Sequence, residues 1–282
     1  GSLRPPWWAR CARWRCGVGE GTVDHGDPGT AGTHAPGAPP ALDVADLRHR
    51  YPDGRLALAG VDLRVDAGQR VAVLGPNGAG KTTLALHLNG LLTPSAGTVR
   101  VAGIEVAPPT FGEIRRRVGL VFQDPDDQLF MPTVAEDVAF GPRNFGVAEP
   151  ELSARVRAAL DAVGMAGHAR RPPSRLSVGQ RRRVALATVL ASAPDVLVLD
   201  EPSVNLEPVA RRELVEVLAT LTATMLVVTH DLPFALQLCP RGVLLDDGVV
   251  IADRPTRALL ADEALLAAHR LELPWGFRLD PG

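Results

Sequence analysis

The chain has 282 residues, a formal net charge of −2 and 46% hydrophobic residues. That is enough for one large or two ordinary domains around a substantial core, without the basic excess of a nucleic-acid-binding surface. No apolar run reaches the roughly 18–20 residues of a bilayer span, no charged-then-apolar secretory start is seen, and Cys11, Cys16 and Cys239 make no disulfide framework, so a reducing cytoplasm is the expected setting.

Residues 1–40 are rich in Gly, Pro, Ala, Arg and Trp and lack an apolar period. They read as a disordered extension, and the initial Gly in place of Met allows a misplaced start. Trp7, Trp8 and Trp14 among arginines would suit an anionic membrane surface, whereas the spacing of Cys11, Cys16, His25 and His34 fits no closed zinc site well. From about Ala41 the texture is α/β. Leu42–Leu47 and Leu56–Val65 are expected strands around a turn at Pro52-Asp53-Gly54, and Arg70–Leu74 is a compact buried strand. A Gly-rich turn and a helix from Lys81 to about Leu92 follow, then a strand over Val99–Val106. Residues 149–164 carry helical spacing, with Leu152, Val156, Leu160 and Val163 on one face, and Val184–Leu190 is a second helix. Asp195–Asp200 is a buried strand ending in acid, Val209–Leu221 a helix, Met225–Thr229 a strand, and Val243–Ala252 a hairpin around Asp247-Gly248. The alternation predicts a parallel sheet covered by helices.

Three short runs carry chemistry. Gly75-Pro76-Asn77-Gly78-Ala79-Gly80-Lys81-Thr82 fits G-x-x-x-x-G-K-[ST] between a strand and a helix. Glycines let backbone N–H groups converge on phosphate oxygens, the helix N-terminus faces the same anion, and Lys81 can reach the β- and γ-phosphates. Thr82 offers a hydroxyl to Mg²⁺. Lys81 is also the one lysine among 30 basic residues. Mutational bias toward arginine explains the scarcity of lysine, and the phosphate cradle, where a planar guanidinium is too large, explains the exception. The acids Asp200 and Glu201 end the apolar strand Val196–Leu199, at the strand tip where open α/β sheets bind ligands. One carboxylate can hold the Mg²⁺ shell and the other can polarise water for in-line attack. Leu176-Ser177-Val178-Gly179-Gln180 opens a helix 95 residues after Thr82 and 23 before Asp200; Ser177 is placed as an N-cap and Gly179 allows backbone approach to an anion.

Together these residues resemble the nucleotide-binding subunit of an ATP-binding cassette (ABC) transporter over about 41–273. Gly75–Thr82 resembles the Walker A loop, Val196–Glu201 the Walker B strand with its catalytic Glu, and Leu176–Gln180 the signature sequence. Gln123 falls at the Q-loop, His230 in Val227-Val228-Thr229-His230-Asp231 resembles the switch histidine, and Tyr51 sits where the family stacks an aromatic on adenine. The runs Phe122–Phe130, Val134–Pro142 and Leu265–Pro274 further resemble the energy-coupling factor group, including cobalt and nickel ATPases of the CbiO/NikO kind.

The resemblance implies a P-loop NTPase (RecA-like) α/β core with an antiparallel β subdomain, a helical signature subdomain over about 124–184, and a tail at 274–282. It implies an Mg²⁺-dependent ATPase at the cytoplasmic face of the membrane, driving uptake of cobalt, nickel or a vitamin through an integral membrane partner that docks at the Q-loop region. Two such subunits, alike or different, would sandwich two ATP molecules. Residues 75–83, including Thr83, would bind nucleotide with Tyr51, and Ser177, Gly179 and Gln180 would act on the nucleotide of the other subunit. Catalysis would fall to Glu201, His230, Gln123 and Lys81, and Mg²⁺ to Thr82, Gln123 and Asp200. Two departures stand out: Val178 replaces the first signature Gly, and Val204-Asn205-Leu206-Glu207 replaces the usual D-loop A-G-L-D. They motivate an alternative, an ATP-binding partner with little turnover of its own. DNA-repair and translation ATPases of the superfamily are set aside, since 95 residues leave no room for a long coiled coil and the chain has one cassette, so no nucleic-acid partner is expected.

Overall fold

The computed structural model describes residues 39–277 and Leu279; the readings of residues 1–38, including those of Cys11, Cys16, His25, His34 and the early tryptophans, lie outside them. In chain order the elements are β1 (Leu42–Arg50), β2 (Leu56–Val65), β3 (Arg70–Leu74), α1 (Lys81–Leu88), β4 (Ala96–Val101), β5 (Ile104–Glu105), α2 (Phe111–Arg117), β6 (Val118–Val121), α3 (Val134–Asn144), α4 (Glu151–Ala162), α5 (Val178–Leu190), β7 (Val196–Asp200), α6 (Pro208–Thr220), β8 (Thr224–Val228), α7 (Leu232–Leu238), β9 (Arg241–Asp246), β10 (Val249–Pro255), α8 (Thr256–Leu260) and α9 (Glu263–Ala268).

Two sheets organise the chain. β2-β1-β4-β5 is antiparallel, and β10-β9-β3-β8-β7-β6 is parallel except for its edge strand β10. Side chains alternate across the parallel strands. Val71, Val73, Val196, Val198, Leu226 and Val228 pack with α1 and the antiparallel sheet. Ala72, Leu74, Leu197, Leu199, Met225 and Val227 pack with α3 to α7 on the other face. Because both faces are covered, β7 and β8 are buried at every position, which is why they read as unbroken apolar runs.

Several boundaries differ from expectation for local reasons. Helix α1 ends at Leu88 rather than near Leu92: Gly90 takes φ +71, Gly90 N–H bonds His87 O, and Leu91 N–H reaches back to Leu86 O, a Schellman stop. The Val99–Val106 strand is broken by a two-residue turn at Ala102 and Gly103, both at positive φ, which returns the chain as β5. Helix α5 begins six residues before Val184, because Ser177 and Gln180 form a reciprocal capping box: Gln180 N–H donates to Ser177 Oγ (3.2 Å) and Ser177 N–H to Gln180 Oε1 (3.0 Å).

Candidate functional site

Four parallel strands deliver the candidate residues to one sheet edge. β3 leads into Gly75–Lys81, β6 into Gln123, β7 ends in Asp200 ahead of Glu201, and β8 leads into Thr229 and His230. The loop after β3 is shaped by close packing. Gly75 lies at φ +155, where a Cβ would run into Leu245 O, and a Cβ on Gly80, at φ +103, would lie 2.5 Å from Ala57 O, so neither position accepts a side chain. A cleft of about 570 Å³ opens here, lined among others by Tyr51, Asn77, Thr83, Gln123 and Val204.

Lys81 is 6% exposed, and its ammonium donates to Gly75 O (2.8 Å) and Pro76 O (3.0 Å) while lying 3.8 Å from Glu201 Oε1. Burial holds its pKa below the ordinary lysine value, opposed by the charges of Glu201 and Asp200. Thr82 Oγ1 donates to Asp200 Oδ1 at 3.2 Å. Burial pushes the Asp200 carboxyl up to about 6; the Thr82 hydrogen bond and Lys81 oppose the rise, and the neighbouring Glu201 charge adds to it. A hydroxyl and a carboxylate at this spacing are hard oxygen donors of the type that Mg²⁺ takes, so these residues fit the ion.

Glu201 is buried and adopts φ +46, uncommon for a residue with a side chain. Its carboxylate accepts from Thr229 Oγ1 (3.1 Å) and His230 N–H (3.3 Å), and its Oε1 lies 2.9 Å from His230 Nδ1. The base candidate and the histidine are therefore in direct contact. His230 is half exposed and lines the cleft. Tyr51 is half-buried at the rim: its hydroxyl is 3.0 Å from Thr83 Oγ1, its ring meets the His49 edge, and the Arg55 guanidinium lies 4.8 Å from its centroid.

Ser177, Gly179 and Gln180 do not line this cleft; Ser177 is exposed at the start of α5, and the Gln180 side chain folds back on the cap. Val178 is the first helical residue of α5, where a β-branched side chain costs little. Asn205 takes φ +60, a conformation asparagine tolerates, and Glu207 is exposed at the N-cap of α6.

Four contributors escaped the sequence reading. Arg182 is buried between the loops and donates to three backbone carbonyls, but in Arg181-Arg182-Arg183 no local signal says which arginine turns inward. Gln128 accepts from Phe122 N–H (3.2 Å) and donates to Ala185 O (2.8 Å) and Thr188 Oγ1 (2.7 Å), tying residues 122–128 to α5. Thr229 lies within the Val227–Asp231 run, where no role for it is legible, and Arg55 carries no motif; strand β8 places the first and the short Tyr51–Arg55 turn the second.

The family model described as ABC transporter matches residues 58–204. A Streptomyces avermitilis protein, named among ABC transporter ATP-binding proteins, is 63% identical over 250 residues, 89% of this chain and 95% of its own. The energy-coupling factor transporter ATP-binding protein EcfA of Methanothermobacter thermautotrophicus is 44% identical over 238 residues, 83% of this chain and 76% of its own. Among solved structures, CbiO1 of Clostridium perfringens, described as part of the ABC transporter complex CbiONQ, aligns with a TM-score of 0.73 and 35% identity, covering 84% of this chain and 96% of that one. A dimeric ATP-binding cassette bound to ADP and Pi in a post-hydrolysis state aligns with a TM-score of 0.69 and 27% identity, covering 76% and 98%.

Proposed function

Since this chain belongs to the ABC transporter family, among ATP-binding proteins of the energy-coupling factor type, we propose that it powers an importer of cobalt, nickel or a vitamin. It is a P-loop ATPase by family. The solute reading draws support from the runs Phe122–Phe130, Val134–Pro142 and Leu265–Pro274 and from the likeness to CbiO1.

One observation carries the mechanism: Lys81, Thr82, Asp200, Glu201 and His230 converge at one sheet edge in a continuous chain of contacts. In this reading the backbone N–H groups of Gly75–Thr83 and the start of α1 cradle the triphosphate, and Tyr51 takes the adenine. The Lys81 ammonium, which donates to two loop carbonyls beside the phosphate cradle, exchanges them for phosphate oxygens when nucleotide binds. Thr82, Asp200 and Gln123 would hold Mg²⁺, which when bound would supply positive charge against the phosphate oxygens. Glu201 accepts the proton of the attacking water, and its contact with His230 aims the carboxylate and keeps the imidazole toward the γ-phosphate. Ser177, Gly179 and Gln180 serve a second subunit, whose approach excludes water from the cleft. No helix among the described residues is long and apolar enough to cross a membrane, and the chain attaches to an integral membrane component at the cytoplasmic face. Phe130 and Phe140, exposed and edge-to-face at 4.9 Å beside the Q-loop, suit that docking.

Mg²⁺-dependent ATP turnover that disappears in Lys81→Ala supports the mechanism; turnover that survives Lys81→Ala unchanged removes it. Co-purification of the membrane partners, followed by uptake assays with Co²⁺, Ni²⁺ and vitamins, decides the solute.

A further inference from the structure

We propose that Arg182 is a positioning residue for hydrolysis, whose guanidinium clamps the main chain at Gln123, Glu201 and Val204 so that the Glu201 carboxylate follows the position of α5. The proposal rests on the hydrolytic role given to Glu201 above. Arg182 Nη1 donates to Glu201 O at 2.9 Å, and Nη2 donates to Gln123 O at 2.9 Å and Val204 O at 3.0 Å. These carbonyls belong to two loops: Gln123 to the one after β6, and Glu201 and Val204 to the turn that follows β7.

The environment of Arg182 differs from that of its neighbours. Arg181 pairs with Asp126 at 3.0 Å and Arg183 with Glu213 at 3.5 Å, toward the surface. Arg182 is 3% exposed, and its terminal nitrogens donate to three backbone carbonyls. Its Nε is buried without a hydrogen-bond partner, an unfavourable arrangement that the fold tolerates while both terminal nitrogens are engaged. Only a planar fork spreads donors over three carbonyls in this way; an ammonium is a point donor.

What the clamp holds is the strained peptide at Glu201. Its N–H donates to Val228 O at 2.8 Å, and its carbonyl accepts from both Arg182 and Val204 N–H. With φ fixed at +46 between these anchors, the side chain is delivered to Thr229, His230 and Lys81. Strain of this kind persists only where the surroundings over-determine it. Arg182 lies five residues beyond the exposed Ser177, about 7.5 Å along α5. A displacement of the helix start therefore reaches the Glu201 backbone through a single side chain, and Gln128 carries the same displacement to Phe122.

The test compares Arg182→Lys and Arg182→Met with the wild-type chain. The expected result is a kcat lower by about 100-fold in Arg182→Met and about 10-fold in Arg182→Lys, with KM and the ATP Kd within about threefold, because the phosphate loop is untouched. ATP affinity is measured in the Glu201→Gln background to prevent turnover. Amide exchange should rise together at 122–124 and 201–206 and stay unchanged at 75–82. A folded Arg182→Lys that keeps kcat within about threefold of wild type overturns the proposal. So does a loss carried equally by KM and Kd, and so does a failure of both variants to fold, which makes the role purely structural. A wild-type chain whose turnover survives Glu201→Gln fails the underlying reading instead, and is recognised before any Arg182 variant is compared.

Discussion

Lys81 is confined by the loop it helps to close. Its ammonium sits 2.8 and 3.0 Å from two carbonyls of the loop it helps to close, at 6% exposure, so the space at the end of its stem is that of a compact cation. An arginine there places a wider, rigid fork against the same carbonyls. Lys81→Arg should therefore keep the fold and net charge but lower ATP turnover by at least about 100-fold; turnover at the wild-type rate would return the lone lysine to an accident of composition. This residue was legible in the sequence because its neighbours Gly80 and Thr82 define a pattern with one chemical purpose. Arg182 was not, since a run of three arginines has the same local signal at each position and only tertiary packing selects the one that turns inward.

At the scale of elements, legibility followed length and periodicity. β7 and α4 are long or apolar enough to announce themselves, whereas α3 contains Gly141 and Pro142, β6 has four residues and α7 seven, too short for a period to build up. The weakest-reading strand has one of the tightest packings. A Cβ on Gly119 of β6 would run into Val189 Cγ1 of α5 and lie 3.0 Å from Pro194 Cγ, and a helical valine has little rotamer freedom to move aside. Gly119→Ala should cost about 1–3 kcal/mol by overpacking, read as a lowered melting temperature, and Gly119→Ala with Val189→Ala should recover part of it. The chain end after α9 is tied differently. Asp246 is held by His269 Nδ1 and Arg270 Nη2, both at 2.9 Å. Burial raises its pKa, but the hydrogen bonds from His269 and Arg270 and the Arg270 charge outweigh burial, so the net shift is downward from 3.8. A depressed carboxylate contributes stability above its unfolded value and loses it as pH falls through its folded one. Asp246→Asn should therefore melt a few degrees lower than wild type at pH 7, and the gap should close below about pH 4. A gap unchanged from pH 7 to pH 3 would show that the latch does not work through charge.

The whole molecule places its candidate groups in two locations. The cleft collects Lys81, Thr82, Gln123, Glu201 and His230 at one sheet edge, while Ser177 and Val178 stand exposed at the start of α5 and do not line it. In the proposed reading a single copy carries both halves of a site without joining them, and two copies related by a two-fold axis would complete it twice, each lending its α5 terminus to the other's cleft. Mixing tests this directly. Lys81→Ala removes the cleft half, and Ser177→Arg blocks the α5 half at a cap whose loss costs only about 1 kcal/mol, so both variants should fold and both should be inactive alone. In a 1:1 mixture that exchanges freely, half of the dimers pair the two variants. Each such dimer holds one cleft with intact Lys81 facing one intact Ser177, which predicts about a quarter of wild-type turnover if the sites act independently. Recovery from two silent variants cannot arise within one chain, so turnover that stays at zero on mixing would mean either that each copy works alone or that both sites must fire together. Adding wild-type chain to Ser177→Arg separates these: independent sites leave the mixed dimer half active, and coupled sites leave it silent.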